Sequence, residues 1–525
     1  MKTRDPQWYD LFQQRGTRRD FLRLGGSVAG LIALGSLPAC GTERRRFPTL
    51  NGPFGLGVAS GDPLHDSVVL WTRLTPTLDE AVGLGPDALA VDWEVAEDEA
   101  FSRVVASGTG SARPELGHSV HAEAQGLRSG REYFYRWIAN GEASPVGRTK
   151  TAPAPDASPD EFRFAFASCQ HYEHGHYTAY HHMAQEQLDL IVHLGDYIYE
   201  SSWGTPIRHH EGPEIHTLED YRGRYTTYRS EPNLMAAHAS APWVVTWDDH
   251  EVDNNWANMW AEDDQTTEEL MLRRAAAFQA YYEFMPLRPS SMPTGPDMQI
   301  YRALRFGDLL DMTVLDTRQY RDDQACGDGT KPTCPGHQDE QRTVLGGTQR
   351  DWLFERVGSQ QTTWNVLAQQ IMVARLRGTN SDDDEVWSMD VWDGYPAERR
   401  RLLNRLSEVA NPVVLTGDIH SNWVSDLHTD FDDLTSPIVA TELTGTSISS
   451  GGNGQDMTNG GESVLSQNPH IKFYNGQRGY VSSTVTPESW TARYEVVPVI
   501  TEPDAPKHTR ATYVIEAGQP GAQEA

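Results

Sequence analysis

The sequence is short of positive charge. Its 44 Lys and Arg face 74 Asp and Glu, giving a formal net charge of -30. That excludes a nucleic-acid scaffold or an anionic-membrane binder built on basic patches, and no specific nucleic-acid-binding module is expected. An anionic substrate must instead be drawn in by local positive charge, for which metal ions are the obvious source. Long apolar runs are missing outside the N-terminus and the mean hydropathy is -0.57, which excludes a membrane bundle. No G-x-S-x-G elbow supports a serine hydrolase, no H-E-x-x-H helix supports a zinc protease, and no repeat of fixed period is present. Cysteine is scarce, at four residues. Cys326 and Cys334 bracket "CGDGTKPTC", whose glycines and proline let two nearby thiols close a disulfide. With no second cysteine pair, a disulfide is favoured over a zinc site. Cys169 is left without a partner.

What is present begins with an address. "TRRDFLRLGGSVAGLIALGSLPAC" pairs Arg18 and Arg19, then runs through a short apolar stretch to Cys40. It resembles a twin-arginine export signal ending in a lipobox-like "LPAC", with Pro38 an unusual residue there; a core helix is the bland alternative. The expectation is export by the twin-arginine machinery to a periplasmic or extracellular location, with Cys40 as a lipidation site and possible membrane anchor. That route carries folded proteins, so metal loading in the cytoplasm is implied.

Residues 50–150 alternate apolar and polar side chains in "SVVLWTRL", "LAVDWEVAED" and "REYFYRWIAN", predicting a small all-β domain, an immunoglobulin- or fibronectin-like sandwich. Residues 151–160, "TAPAPDASPD", read as a linker. From 161 to 515 short apolar runs alternate with helical stretches such as "TTEELMLRRAAAFQAYYEFM", the signature of an α/β layer fold with sheets flanked by helices. Residues 449–480 read as a surface loop or as a flap over a site, and residues 516–525 as a disordered tail.

The apolar runs of 161–515 end on chemistry. "FRFAFASCQ" ends at Cys169, "LDLIVHLGDYIYE" at Asp196 and Tyr199, and "PWVVTWDDHEVDNN" at Asp248, Asp249, His250 and Asp253. "LLDMTVLDTRQYR" ends at Asp316 and Arg318, "WNVLAQQ" at Gln369 and Gln370, and "NPVVLTGDIHSNW" at Asp418 and His420. Loops at the carboxyl ends of strands face one crevice in such sheets. Any single aspartate has a dull reading as a turn or cap residue. The conjunction points to one metal site: Asp196 offers two oxygens that can bridge two cations, Tyr199 a phenolate suited to ferric iron, and Cys169 a thiolate that again favours a transition metal.

These motifs, "SCQ", "GDYIYE", "WDDHEVDNN", "DTRQYR" and "TGDIH", together with "GVASGDPLHDSVVLWTRLTP" near the N-terminus, resemble the PhoD-type alkaline phosphatase and phosphodiesterase family of calcineurin-like metallophosphoesterases. The resemblance spans nearly all of the chain after the signal. It implies a metallophosphoesterase domain over 161–515, iron(III) held by Cys169, Asp196, Tyr199 and His420, and Asp196 bridging to calcium (Ca2+) at Asp249 and Asp418. Where many relatives carry Asn this chain has Asp249, and it has Asp418 where a Gly-His-x-His motif is usual. Both changes favour a hard cation, although zinc or manganese is compatible with the same donors. Asp253, Asp316 and Gln370 are further candidates for metal or phosphate contact.

The implied reaction is hydrolysis of phosphate esters by metal-activated hydroxide, with His250 protonating the leaving group and Arg318 holding a non-bridging oxygen. A phospholipase D-like phosphodiesterase is the alternative, and a non-catalytic metal-binding lipoprotein the bland one.

Overall fold

The computed structural model describes residues 52–75, 84–203, 206–359, 361–379 and 384–525. The expected signal and Cys40 lie outside them. Two mixed sheets, of ten and seven strands, make the body of the molecule. Near the middle of the first run the parallel strands β1 (Phe162–Ala167), β2 (Leu190–His193) and β3 (Pro242–Val245). Near the middle of the second run β4 (Leu310–Val314), β5 (Trp364–Ala368), β6 (Pro412–Thr416) and β7 (Ile438–Thr444), also parallel.

The period-two geometry of a strand sorts these apolar runs into layers. Phe162, Phe164 and Phe166 of β1 and Val192 of β2 meet Val366 of β5 and Val413 and Leu415 of β6 between the sheets. Their neighbours Ala165, Ile191 and Trp243 point the other way, under Tyr180, Tyr221 and Phe278 of the helices Thr178–Met183, Leu218–Arg229 and Thr267–Phe284. On the far face Leu367 and Val414 pack against Leu353, Leu402 and Leu406 of the helices Gly346–Ser359 and Pro396–Leu406. Strands buried on both faces read as continuous apolar runs, which is how they appear in the sequence. Each fully buried aromatic of this set contributes about 1.5–3 kcal/mol. Local signals agree with the layers. Thr266 Oγ1 accepts from Glu269 N at 3.3 Å while Glu269 Oε2 accepts from Thr266 N at 2.8 Å, a reciprocal cap that starts the helix Thr267–Phe284.

Two sequence expectations change. The all-β region before residue 150 shares one of its sheets with the rest of the chain. Its strands Val58–Gly61, Ser67–Arg73 and Ser119–Gln125 extend the ten-stranded sheet, with Ser60 and Gly61 paired in parallel to Pro242 and Trp243 of β3. The approach is close enough that a Cβ on Gly61 would lie 2.4 Å from Pro286 O. A five-stranded sheet from Leu89 to Lys150 covers this extension through Val68, Leu70, Val91, Val95 and Trp137. Alternation marks strands but not which sheet they join, so the boundary at 150 divides one sheet.

The tail 516–525 is ordered. Gln519–Glu524 pairs antiparallel with His508–Glu516 across a turn at Gly518, and Ala522 O accepts from Lys472 Nζ at 2.6 Å. Its Gly, Pro and Gln composition suits an edge strand, where proline is tolerated. Residues 449–480 are also built, with a helix Asn459–Gln467, a strand Ile471–Asn475 and a first segment that reaches the strand ends described next.

Candidate metal centre

Cys169, Asp196, Tyr199, Asp248, Asp249, His250, Asp418 and His420 follow β1, β2, β3 and β6, and the fold brings them together where those strands end. Cys169, Asp196 and His420 present donor atoms within 4.8 Å of one another, and so do Asp196, Asp249 and His250. Asp196 belongs to both groups. Tyr199 OH donates to Asp196 Oδ2 at 2.8 Å, lies 3.2 Å from His420 Nε2 and accepts from Ser450 Oγ at 2.7 Å. Ser450 Oγ also bonds Cys169 O at 2.8 Å, so the segment after Thr444 closes over the first group.

The local backbone is costly. Cys169, Asp196, Asp418 and His420 have φ of 58°, 57°, 61° and 55°, a left-handed conformation that side chains other than Gly, Asn and Asp rarely adopt. Such outliers cluster where geometry is set by function. Gly195 is needed beside them: φ is +109° and a Cβ would fall 2.5 Å from Asp248 Cβ and 2.6 Å from Asp248 N. Gly195→Ala is expected to destabilise the protein by at least about 2 kcal/mol and to lower its bound metal, checked by urea denaturation and metal analysis.

Burial dominates the electrostatics. It pushes the Cys169 thiol and the Tyr199 phenol well above their ordinary values, with the charge of Asp196 adding to both. Burial, then Asp248 and Asp249, raises the Asp418 carboxyl; burial raises Asp248 to about 7. For Asp249 burial is outweighed by Arg318 and His250, which hold it below the usual carboxylate range. His420 is pushed down to about 3 by burial and Arg478, leaving a neutral imidazole. His250 goes the other way. Burial opposes its charge, but Glu200, Asp249 and Asp196 together keep it protonated, and Glu200 Oε2 sits 2.7 Å from its Nδ1.

The residues fit cations. Asp196 Oδ1, Asp248 Oδ2 and Asp249 Oδ1 are buried and accept no hydrogen bond among the described residues. Unmet carboxylate oxygens in a dry site are expensive, and a bound cation is the partner that removes the cost.

Four expected contacts are otherwise engaged. Arg318 is completely buried; its Nε donates to Asp248 Oδ1 at 2.5 Å, its Nη1 to Asp390 Oδ1 at 2.9 Å, and its Nη2 lies 2.8 Å from Asp390 Oδ2. It therefore holds carboxylates and not an ester oxygen. Asp316 Oδ1 accepts from the backbone of Arg318 and Gln319, both at 2.9 Å, as a turn cap. Gln370 bonds Thr317 and Thr246 through its two side-chain atoms, at 2.6 and 2.8 Å. Asp253 pairs with Arg273 Nη1 at 2.9 Å. Arg318, Gln370 and Asp253 have partners remote in sequence, which the strand-end pattern does not reveal, and Asp316 caps its own turn.

Three carboxylates escaped that pattern. Glu200 orients His250. Glu251 accepts from the backbone N–H of Asp196, Tyr197 and Asp248 at 3.1, 2.6 and 2.8 Å, tying the two ligand-bearing loops together, and burial raises it to about 8. Asp390 anchors Arg318. The first two stand inside "GDYIYE" and "WDDHEVDNN", where a glutamate after a cluster of donors was the available signal; nothing near Asp390 marks it.

The geometry has counterparts. The PhoD-like phosphatase family model matches residues 164–494, and the model of its N-terminal domain matches residues 40–153. The chain is 52% identical over 520 residues to alkaline phosphatase D of Bacillus subtilis (strain 168), covering 97% of this chain and 89% of that one. A solved structure of PhoD superposes with a TM-score of 0.88 at 53% identity, over 92% of this chain and 93% of the other. The purple acid phosphatase PPD1 of yellow lupin (Lupinus luteus) shares the fold, with a TM-score of 0.55 at 12% identity over 88% and 73% of the two chains. The chain belongs to the PhoD-like phosphatase family and is a hydrolase of phosphoric ester bonds.

Proposed function

We propose that the chain is an exported, metal-dependent alkaline phosphatase or phosphodiesterase with a ferric site beside a calcium site. The observation that carries this reading is that Asp196 belongs to two donor groups, with Cys169 and His420 in one and with Asp249 and His250 in the other, where His250 stands beside the second cation as proton donor. Cys169, Asp196, Tyr199 and His420 combine thiolate, phenolate, carboxylate and neutral imidazole, a set suited to iron(III). Asp249 and Asp418, with Asp196 between, offer hard oxygen donors suited to calcium. Held by these residues, the two cations would supply charge neutralisation for a phosphoryl group and a lowered pKa for water.

The chain's own groups do the rest. Glu200 takes the Nδ1 side of His250 and leaves the opposite nitrogen to give a proton to the departing alkoxide. Arg318 contributes indirectly, by holding Asp248 and Asp390 in register with Asp249. The segment through Ser450 closes over Cys169 and Tyr199 and limits water on that side. Export by the twin-arginine route and acylation at Cys40 complete the reading, as does an immunoglobulin- or fibronectin-like character for the five-stranded sheet.

Stripping the protein with a strong chelator is expected to abolish hydrolysis of a phosphate monoester and a diester alike. Iron plus calcium restores it, whereas zinc alone does not. Full turnover after complete stripping would overturn the proposal.

A further inference from the structure

The Cys326–Cys334 disulfide closes a largely exposed loop to which the proposed reaction gives no role. Inside that loop, two residues after Cys326, Asp328 Oδ2 accepts from Asn255 Nδ2 at 2.6 Å, and Asp328 Oδ1 accepts from Gly329 N at 2.6 Å. Asn255 is in the left-handed conformation, with φ of 50°. Its carbonyl accepts from Gln324 Nε2 at 2.7 Å, and Gln324 Nε2 also donates to Asp390 Oδ1 at 2.7 Å. Held at its amide and its carbonyl, Asn255 directs its backbone N–H to Asp249 Oδ2 at 2.8 Å. That bond occupies one oxygen of Asp249. The other, Oδ1, is buried, accepts no hydrogen bond among the described residues and lies 3.7 Å from Arg318 Nη2.

The same loop braces the second carboxylate. Gly329 O accepts from Met389 N at 3.0 Å, and Thr330 and Lys331 pair with Ser388 and Trp387, immediately before Asp390. Both aspartates that Arg318 touches besides Asp248 are thus connected to one disulfide-closed loop.

We propose that the Cys326–Cys334 loop is a positioning device for the second cation: through Asp328 and Asn255 it fixes the orientation of Asp249, and cation affinity depends on the disulfide being closed. The proposal rests on the assignment of Asp249 to a cation. An eight-residue separation gives the loop few alternative shapes once the bond is made. Opening it by a dithiol, which gives up two electrons and two protons and closes to its own disulfide, frees Asp328 to leave Asn255. Asp249 can then turn its Oδ2 away, and the cation loses a pre-oriented donor.

The test is a calcium titration by calorimetry of chelator-stripped, iron-reloaded full chain: wild type, Asp328→Ala, Cys326→Ser/Cys334→Ser and the combination. Loss of an outer partner of a metal ligand typically weakens affinity by about 10- to 100-fold. Each variant is expected to fall in that range, with the visible band of the iron site unchanged, and the combination to be no worse than either alone, since both act through one contact. If the serine pair folds poorly, wild type treated with a dithiol and monitored by circular dichroism serves instead. Calcium affinity equal to wild type in Asp328→Ala and in the open-loop protein would overturn the relay while leaving the cation site standing. A wild type that binds no calcium would overturn the site itself, and the relay with it.

Discussion

His250→Ala is expected to lower kcat for a phosphate monoester by about 10²- to 10⁴-fold, the usual contribution of a positioned general acid, with iron and calcium content unchanged. His250 is buried beside Asp196 and Asp249, and its Nδ1 is tied to Glu200 at 2.7 Å. Three carboxylates around it hold the ring charged against the cost of burial. A ring fixed at Nδ1 by Glu200 presents its other nitrogen for proton transfer. The effect should shrink with substrates whose leaving groups need no proton, such as nitrophenolates, and remain large for alkyl esters. Glu200→Gln should follow the same trend more weakly, because it removes the charge that holds the ring and keeps the hydrogen-bonding shape. If His250→Ala instead lost its divalent cation, His250 would be a metal ligand and the proton would come from elsewhere.

Arg318→Met carries the largest expected effect on stability. Removing one partner of a buried ion pair typically costs about 3–5 kcal/mol, because the charges left behind stay dry and unpaired. Here Asp248 would lose its ion pair, Asp390 would keep Arg321 and Gln324 but lose the guanidinium, and Asp249 would lose the guanidinium 3.7 Å from its Oδ1. The urea midpoint should fall accordingly at matched metal content. Arg318→Lys should recover part of the loss, since one ammonium cannot serve Asp248 and both oxygens of Asp390 as the guanidinium fork does. A variant as stable as wild type but with a raised KM would place Arg318 on the substrate after all.

The candidate donors were legible in the sequence because they stand at the ends of apolar runs, and a short continuous apolar run, buried on both faces, announces a parallel strand. Cys169, Asp196, Tyr199, Asp249, His250, Asp418 and His420 all follow that rule. Arg318, Asp316 and Gln370 follow it too, yet their side chains are spent on packing the crevice. Arg318 finds Asp390 72 residues away, and Gln370 bonds Thr317 53 residues back. Such partners depend on which loops the sheets bring together, and no local pattern encodes them. Strand membership is hidden for the same reason. Val58–Gly61 is a short run of buried small residues with no alternation, and only its pairing with β3 assigns it to the ten-stranded sheet. At the tail, composition was read as disorder although the turn at Gly518 and an edge position make proline and glycine acceptable in a strand.

The central claim is the mixed site on Asp196, and the most direct measurement is the metal content of protein purified from its natural compartment, by mass spectrometry, together with its visible absorption spectrum. Stoichiometric iron accompanied by calcium, with a phenolate or thiolate charge-transfer band, is the predicted result. Stoichiometric zinc or manganese without that band would contradict it and remove Cys169 and Tyr199 from the iron.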